Sequence, residues 1–292
     1  MTDADMDPRQ YYDEFGEDEW ERLDRDPVTR MEFENTTDYL AGYLPDAESR
    51  GDDPVRVLDA GGGAGRYALW LAEQGYDVTL ADISGEQVRI AREKADERET
   101  GGHGVGERGV CGRVTTGQAD LRALPFDSGV FDAVCCLGGP LSHVVDDGER
   151  AAAMAELRRV ATADSPVFVS VIGRFAMLRD VLKFALDDSH GLLAPVAEDG
   201  DYTAERVAEH ADGEGWAECH GFRADELEAE LEATGFDVER LVGLENVANR
   251  MKSELAEADD EAVESVREVV RALREDRTAV DFSEHMLAVC RA

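Results

Sequence analysis

Lysine is almost missing from this chain of 292 residues: only Lys94, Lys183 and Lys252 are present, and every other basic residue is arginine. Basic residues are outnumbered 30 to 66 by acidic ones, leaving a formal charge of -36. No basic cluster is longer than an arginine or two, and nothing reads as an appended nucleic-acid-binding module. Long apolar runs are missing too, none approaching the roughly 20 residues that a membrane-spanning helix needs. The start, MTDADMDPRQ, is acidic and polar, unlike the basic and then apolar pattern of a secretion signal, so the expectation is a soluble, cytoplasmic protein. The five cysteines, Cys111, Cys135, Cys136, Cys219 and Cys290, form no C-x-x-C and no paired metal spacing, as expected in a reducing compartment. Cys219 with His220 lacks a further ligand spaced to complete a metal site, so no metal is expected. Cys135 and Cys136 read as packing residues of a buried strand.

So much charge suggests disorder at first sight, but the apolar residues make up 43% and fall in periodic runs, which fits a folded core inside an acidic coat. That coat, poor in lysine, resembles the surfaces of salt-adapted proteins from halophiles. In molar salt the Debye length is about 3 Å, and self-repulsion is screened.

Residues 1–50 read as a polar helical cap anchored by Tyr11, Tyr12, Phe15, Trp20 and Leu23, with GDDP at 51–54 as the break. Over 51–172, five β-rich runs (VRVLDA, DVTLAD, RVTTGQ, VFDAVCC, PVFVSVI) alternate with helical patterns, which predicts a doubly wound parallel sheet. TGGHGVGERGVCG, ahead of the third run, reads as a mobile surface loop. Residues 173–220 are expected to be an irregular, partly helical insertion that covers a pocket as a lid. Residues 221–292 return to the core with FRADELEAELEATGF, a helix closed by Gly235, then FDVERLVGL, a helix carrying Val263, Val266, Val270 and Leu273 on a stripe read as core, and HMLAVCR.

The chemistry is concentrated in VLDAGGGAGRYALWLAEQG, where an apolar strand runs into four glycines and an amphipathic helix. A dinucleotide fingerprint needs a third small residue six positions into G-x-G-x-x-G, and counting from Gly61 and Gly63 that place holds Arg66. A P-loop fails because no G-K-[ST] follows. What remains is D-x-G-x-G-x-G, with Asp59, Gly61, Gly63 and Gly65. Such a turn lets backbone pass close beside an amino-acid moiety and a ribose. Asp82, closing the second strand, is placed to accept from two ribose hydroxyls.

These residues resemble the class I S-adenosylmethionine-dependent methyltransferases, in the small-molecule type. VLDAGGGAG is similar to the family's first motif and Asp82 to its ribose-binding acid. QADLRALPF is similar to the segment after the third strand, where the resemblance implies Asp120 at the adenine amino group and Leu121 near the ring. FDAVCCLGGPLSH is similar to the fourth-strand motif, with Leu137 and Gly138 at the cofactor edge. The resemblance covers about residues 51–172 and 221–292, and implies a Rossmann-like, seven-stranded, mostly parallel sheet with a closing antiparallel pair and S-adenosylmethionine as cofactor.

Methyl transfer from a sulfonium asks the protein to align the acceptor and exclude water; a hydroxyl or carbon acid also needs a base. The N-P-P-[YF] signature of amide and base N-methyltransferases is replaced by LGGPLSH, and His143 is the candidate catalytic base. Tyr11 and Tyr12 sit where related enzymes carry an N-terminal lid, and an aromatic beside a sulfonium is favoured by cation–π attraction. The expected activity is methyl transfer to oxygen, nitrogen or carbon of a small-molecule acceptor. A tRNA wobble-uridine methyltransferase, faintly suggested by the D-A-G-G-G turn and the arginine-containing tail, stands second, so RNA is a possible but less favoured partner. A non-catalytic cofactor-binding subunit stands third. The acceptor, its atom and the oligomeric state are left open.

Overall fold

The computed structural model describes residues 6–47, 49, 53–100, 112–212 and 215–292. The loop expectation for TGGHGVGERGVCG, with Cys111, falls almost entirely outside them. A seven-stranded sheet has the order β3-β2-β1-β4-β5-β9-β8, built from β1 (Arg56–Ala60), β2 (Asp77–Asp82), β3 (Val114–Gln118), β4 (Ala133–Cys136), β5 (Pro166–Ile172), β8 (Asp237–Gly243) and β9 (His285–Arg291). Strands β1 to β5 pair in parallel, and β9 runs antiparallel to both β5 and β8. This is the class I Rossmann-like methyltransferase fold. Chain order reverses between β1 and β4, so their carboxyl ends frame the crevice where open α/β sheets bind ligands.

Both faces of the sheet are buried, as a parallel sheet requires. Leu58, Val134, Val169 and Ala288 pack on one face against α6 (Asp147–Val160) and α11 (Ala224–Thr234). Their neighbours Val57, Ala133, Phe168 and Leu287 pack on the other, against α3 (Pro27–Tyr43), α4 (Arg66–Glu73) and α5 (Gly85–Thr100). The two-residue period of a strand divides adjacent apolar residues this way, which is why these segments read as continuous apolar runs. The fourth run, expected over 130–136, forms a strand only over Ala133–Cys136, and Phe131 ahead of it makes an isolated bridge to Ala161. Cys135 and Cys136 are fully buried on opposite faces.

The N-terminal segment forms α1 (Pro8–Phe15), α2 (Asp18–Glu21) and α3. The insertion is more regular than expected, with α7 (Arg174–Phe184), α8 (Leu186–Ser189), α9 (Leu193–Asp199), α10 (Ala204–His210) and a hairpin of β6 (Asp201–Tyr202) and β7 (Cys219–His220). Its core of Met177, Leu192, Val196, Tyr202 and Val207 is completed by Met6 from the N-terminus. The helices are too short to show a sustained apolar period, which hid them in the sequence. Near the C-terminus lie α12 (Lys252–Ala256), α13 (Asp260–Leu273) and α14 (Arg277–Phe282). The α13 stripe packs on Met31 and Leu255, with Val270 fully buried. Among the described residues no helix is long and apolar enough to cross a membrane.

Candidate functional site

The glycine turn leaves β1 and opens α4. Gly61, Gly63 and Gly65 have φ of 72°, 52° and 89°, a backbone region that L side chains avoid. At Gly61 a Cβ would lie 2.4 Å from Pro140, so the turn is forced to glycine by space as well. Behind the turn, Asp59 is fully buried and neither carboxyl oxygen has a formed hydrogen bond. Burial first, then the Asp82 charge, pushes its pKa up to about 7; the nearby Ala68 amide offsets this only in part and is not placed to donate a formed bond. Asp82 accepts from the Gly63 amide at 2.9 Å and the Ser84 amide at 2.8 Å. Burial pushes it up to about 6 against those two bonds, with Glu19 and Asp13 adding repulsion. Capping of α5 falls to Ser84, whose Oγ accepts from the Gln87 amide, leaving Asp82 to hold the turn and face the cavity.

That cavity holds about 350 Å³ and is lined by Gly61, Gly63, Asp82, Asp120, Leu121 and Leu137, with Tyr12 and His143 at its inner end. Asp59 and Gly65 are not in its wall: Asp59 lies beneath the turn and Gly65 starts α4. Asp120 is bound by Arg122, which holds its carboxyl below the ordinary range and reaches on to Glu149. The N-terminal helices close the cavity from above. Asp13 accepts from the Ser84 hydroxyl, Gln87 donates to the Tyr12 and Gly16 carbonyls, and Glu19 and Arg22 enter the wall.

A second cavity of about 360 Å³ adjoins the first, and Tyr12 and His143 are the residues common to both walls. Tyr11 faces this second space only, with Met177, Phe184, Trp216 and Cys219. His143 Nδ1 lies 2.8 Å from the Glu218 carbonyl and Nε2 lies 3.0 Å from the Tyr12 hydroxyl. A carbonyl only accepts, so Nδ1 carries the proton and Nε2 accepts from Tyr12. Burial lowers the His143 pKa, favouring this neutral form. Burial, with Glu19, raises that of Tyr12, which stays a phenol.

The far wall of the second cavity carries charges that the sequence did not single out. Arg250, 9% exposed with φ of 68°, pairs with Asp180 and with Glu284 at 2.8 Å. Burial pushes Asp180 up to about 6 despite Arg250, while Arg250 and Lys252 hold Glu284 low against its own burial. His285 opens β9 opposite Ile172, at the carboxyl edge of β5, and its Nδ1 lies 3.0 Å from Glu245 Oε1. Glu245 also accepts from the Ser283 hydroxyl and the His285 amide, and Glu32 takes both Nη groups of Arg22. Glu32, Glu245 and His285 lie within 4.8 Å of one another at their ligand atoms, yet every carboxylate oxygen already accepts a hydrogen bond. The one sequence signal for this cluster was a histidine opening an otherwise apolar strand.

A methyltransferase-domain profile matches residues 57–164. Over 135 residues the chain is 33% identical to the glycine/sarcosine N-methyltransferase of Parasynechococcus marenigrum, covering 43% of this chain and 44% of that one. Over 178 residues it is 29% identical to the ubiquinone/menaquinone biosynthesis C-methyltransferase UbiE of Shewanella piezotolerans, covering 57% and 65%. The chain thus spans less than two thirds of each of these relatives. A crystal structure of an S-adenosylmethionine-dependent methyltransferase from Methanosarcina mazei shares the fold with a TM-score of 0.58 at 21% identity, over 87% of this chain and 96% of that one.

Proposed function

The chain belongs to the class I S-adenosylmethionine-dependent methyltransferases, and on that premise we propose that it transfers a methyl group to a small-molecule acceptor seated in the second cavity. The observation that carries this reading is the pair of adjoining cavities at the carboxyl edge, with Tyr12 and His143 between them. The glycine-turn cavity fits the cofactor. A Cβ at Gly61 would collide with Pro140 in the cavity wall, and Asp82 lines the same cavity with two oxygens that each accept one backbone bond and have a second lone pair.

In this proposal Gly61 and Gly63 pass beside the amino-acid end, Asp82 accepts from the ribose hydroxyls, and Asp120, Leu121 and Leu137 border the adenine side. Asp59 and Gly65 shape the turn from behind. Glu19 and Arg22, paired with each other at 3.1 Å, enter the same wall. When bound, the cofactor supplies an electrophilic methyl on its sulfonium. Tyr12, a neutral phenol, presents its ring and oxygen at the passage between the cavities and links His143 to the acceptor side, while Tyr11 lines the acceptor space. The insertion and α1 exclude water. The names of the two relatives support a small acceptor, and the free buried thiols Cys135, Cys136, Cys219 and Cys290 suit the cytoplasm.

Calorimetric titration at molar potassium chloride tests the cofactor half. S-adenosylmethionine and S-adenosylhomocysteine are expected to bind and NAD is not; binding of NAD alone would overturn the proposal.

A further inference from the structure

Building on the reading just given, we propose that His285 is the proton acceptor for the methyl acceptor, oriented by Glu245, and that the acceptor reacts through a hydroxyl or an acidic carbon. Two histidines face the second cavity, and they differ in which lone pair is free. That of His143 is taken by the Tyr12 hydroxyl. His285 gives its Nδ1 proton to Glu245, which is itself fixed by the Ser283 hydroxyl and the His285 amide. A carboxylate on Nδ1 sets the tautomer and aims the Nε2 lone pair the opposite way. Among the described residues Nε2 has no hydrogen-bond partner and is not sealed in, so it opens into the cavity that the ring lines. A Cβ at Gly139 would lie 3.9 Å from His285 Cδ2, which sets this edge of the ring beside the loop that follows β4, whose Leu137, Gly138 and Pro140 line the glycine-turn cavity. Asp180 and Glu284, the carboxylates of the same wall, are committed to Arg250.

The charges around His285 suit the task. Burial lowers its proton affinity, as Arg22 does, but Glu32 from α3 and Glu245 just beyond β8 raise it, Glu284 adjoins it and His143 faces it; the net direction is upward from the ordinary imidazole value. In the reaction the acceptor X–H yields its proton to Nε2 as its electron pair forms the C–X bond and the C–S pair passes to sulfur. The imidazolium, stabilised between Glu245 and Glu32, returns the proton to water after product leaves. A neutral amine would not need this group before transfer.

The test is nitrogen-15 NMR of the histidine rings in the full chain with S-adenosylhomocysteine at molar salt, assigned with His285→Gln. The expected result is a neutral His285 protonated on Nδ1, titrating above an ordinary histidine, with Glu245→Gln moving the titration down by about one pH unit or more. A neutral ring protonated on Nε2, a ring that stays charged to pH 9, or a titration indifferent to Glu245→Gln would overturn the proposal. With the small-molecule fraction of a halophile extract as acceptor, His285→Gln should lower turnover by about 10²- to 10⁴-fold while keeping affinity for S-adenosylhomocysteine. Undiminished turnover would overturn the role of His285 alone, whereas failure of the wild-type chain to bind S-adenosylhomocysteine would overturn the cofactor reading beneath it as well.

Discussion

At the scale of single residues, Asp59 and Asp82 do opposite work with the same side chain. Asp59 has no formed hydrogen bond and a carboxyl raised to about 7 by burial. Its proton is held more tightly in the folded chain than in the unfolded one, so its contribution to stability is full below about pH 4 and is lost as pH rises through about 7. Asp59→Asn removes that loss. The variant should gain thermal stability over wild type at pH 8 and not at pH 4, by at most about 4 kcal/mol; equal differences at the two pH values would show that Asp59 is not a buried acid. Asp82 accepts from the Gly63 and Ser84 amides and lines the cavity. Asp82→Ala should weaken binding of S-adenosylhomocysteine by about 10- to 100-fold, the cost of losing hydrogen bonds to a charged acceptor; an unchanged affinity in calorimetry would remove it from the cofactor site.

At the scale of elements, what the sequence made legible is what local backbone geometry dictates. Three left-handed glycines, an acid at or next to the end of each of the first two strands and the helix that follows each are neighbours along the chain, so the strand–turn–helix units and their parallel pairing could be read directly, whereas the order of the strands could not and the cofactor was what the resemblance implied. The wall of the second cavity could not. Glu245 and His285 meet only because β9 returns between β5 and β8, and Glu32, with Arg22 bound to it, joins them only because α3 packs over the sheet. No period or spacing announces contacts across such separations. The insertion shows the same limit: read as a separate lid, it shares its core with Met6, and the Glu218 amide donates to the Met6 carbonyl while its own carbonyl holds His143. Replacing residues 190–218 should therefore abolish turnover and also loosen the N-terminal helices over the cofactor. The expected readout is faster proteolysis near α1 and weaker S-adenosylhomocysteine binding. Unchanged binding and protection would mean that lid and cap act independently.

At the scale of the whole molecule, the acidic coat is the feature with the largest physical consequence. With a formal charge of -36, the compact state is strained by self-repulsion in dilute buffer and relieved in molar salt. Thermal melts should shift upward as potassium chloride rises from millimolar to molar levels; melts that do not move would separate the charge from any adaptation to salt. In the same medium the phosphate contribution to RNA binding is largely lost, so net charge cannot choose between acceptors. The cavities do. The measurement that tests this most directly is the fate of the methyl group: the chain is incubated with methyl-labelled S-adenosylmethionine and a halophile extract at molar salt, and the extract is then separated into small-molecule, RNA and protein fractions. The account predicts label in the small-molecule fraction, dependent on the wild-type chain. Label in the RNA fraction, or in no fraction at all, would contradict it.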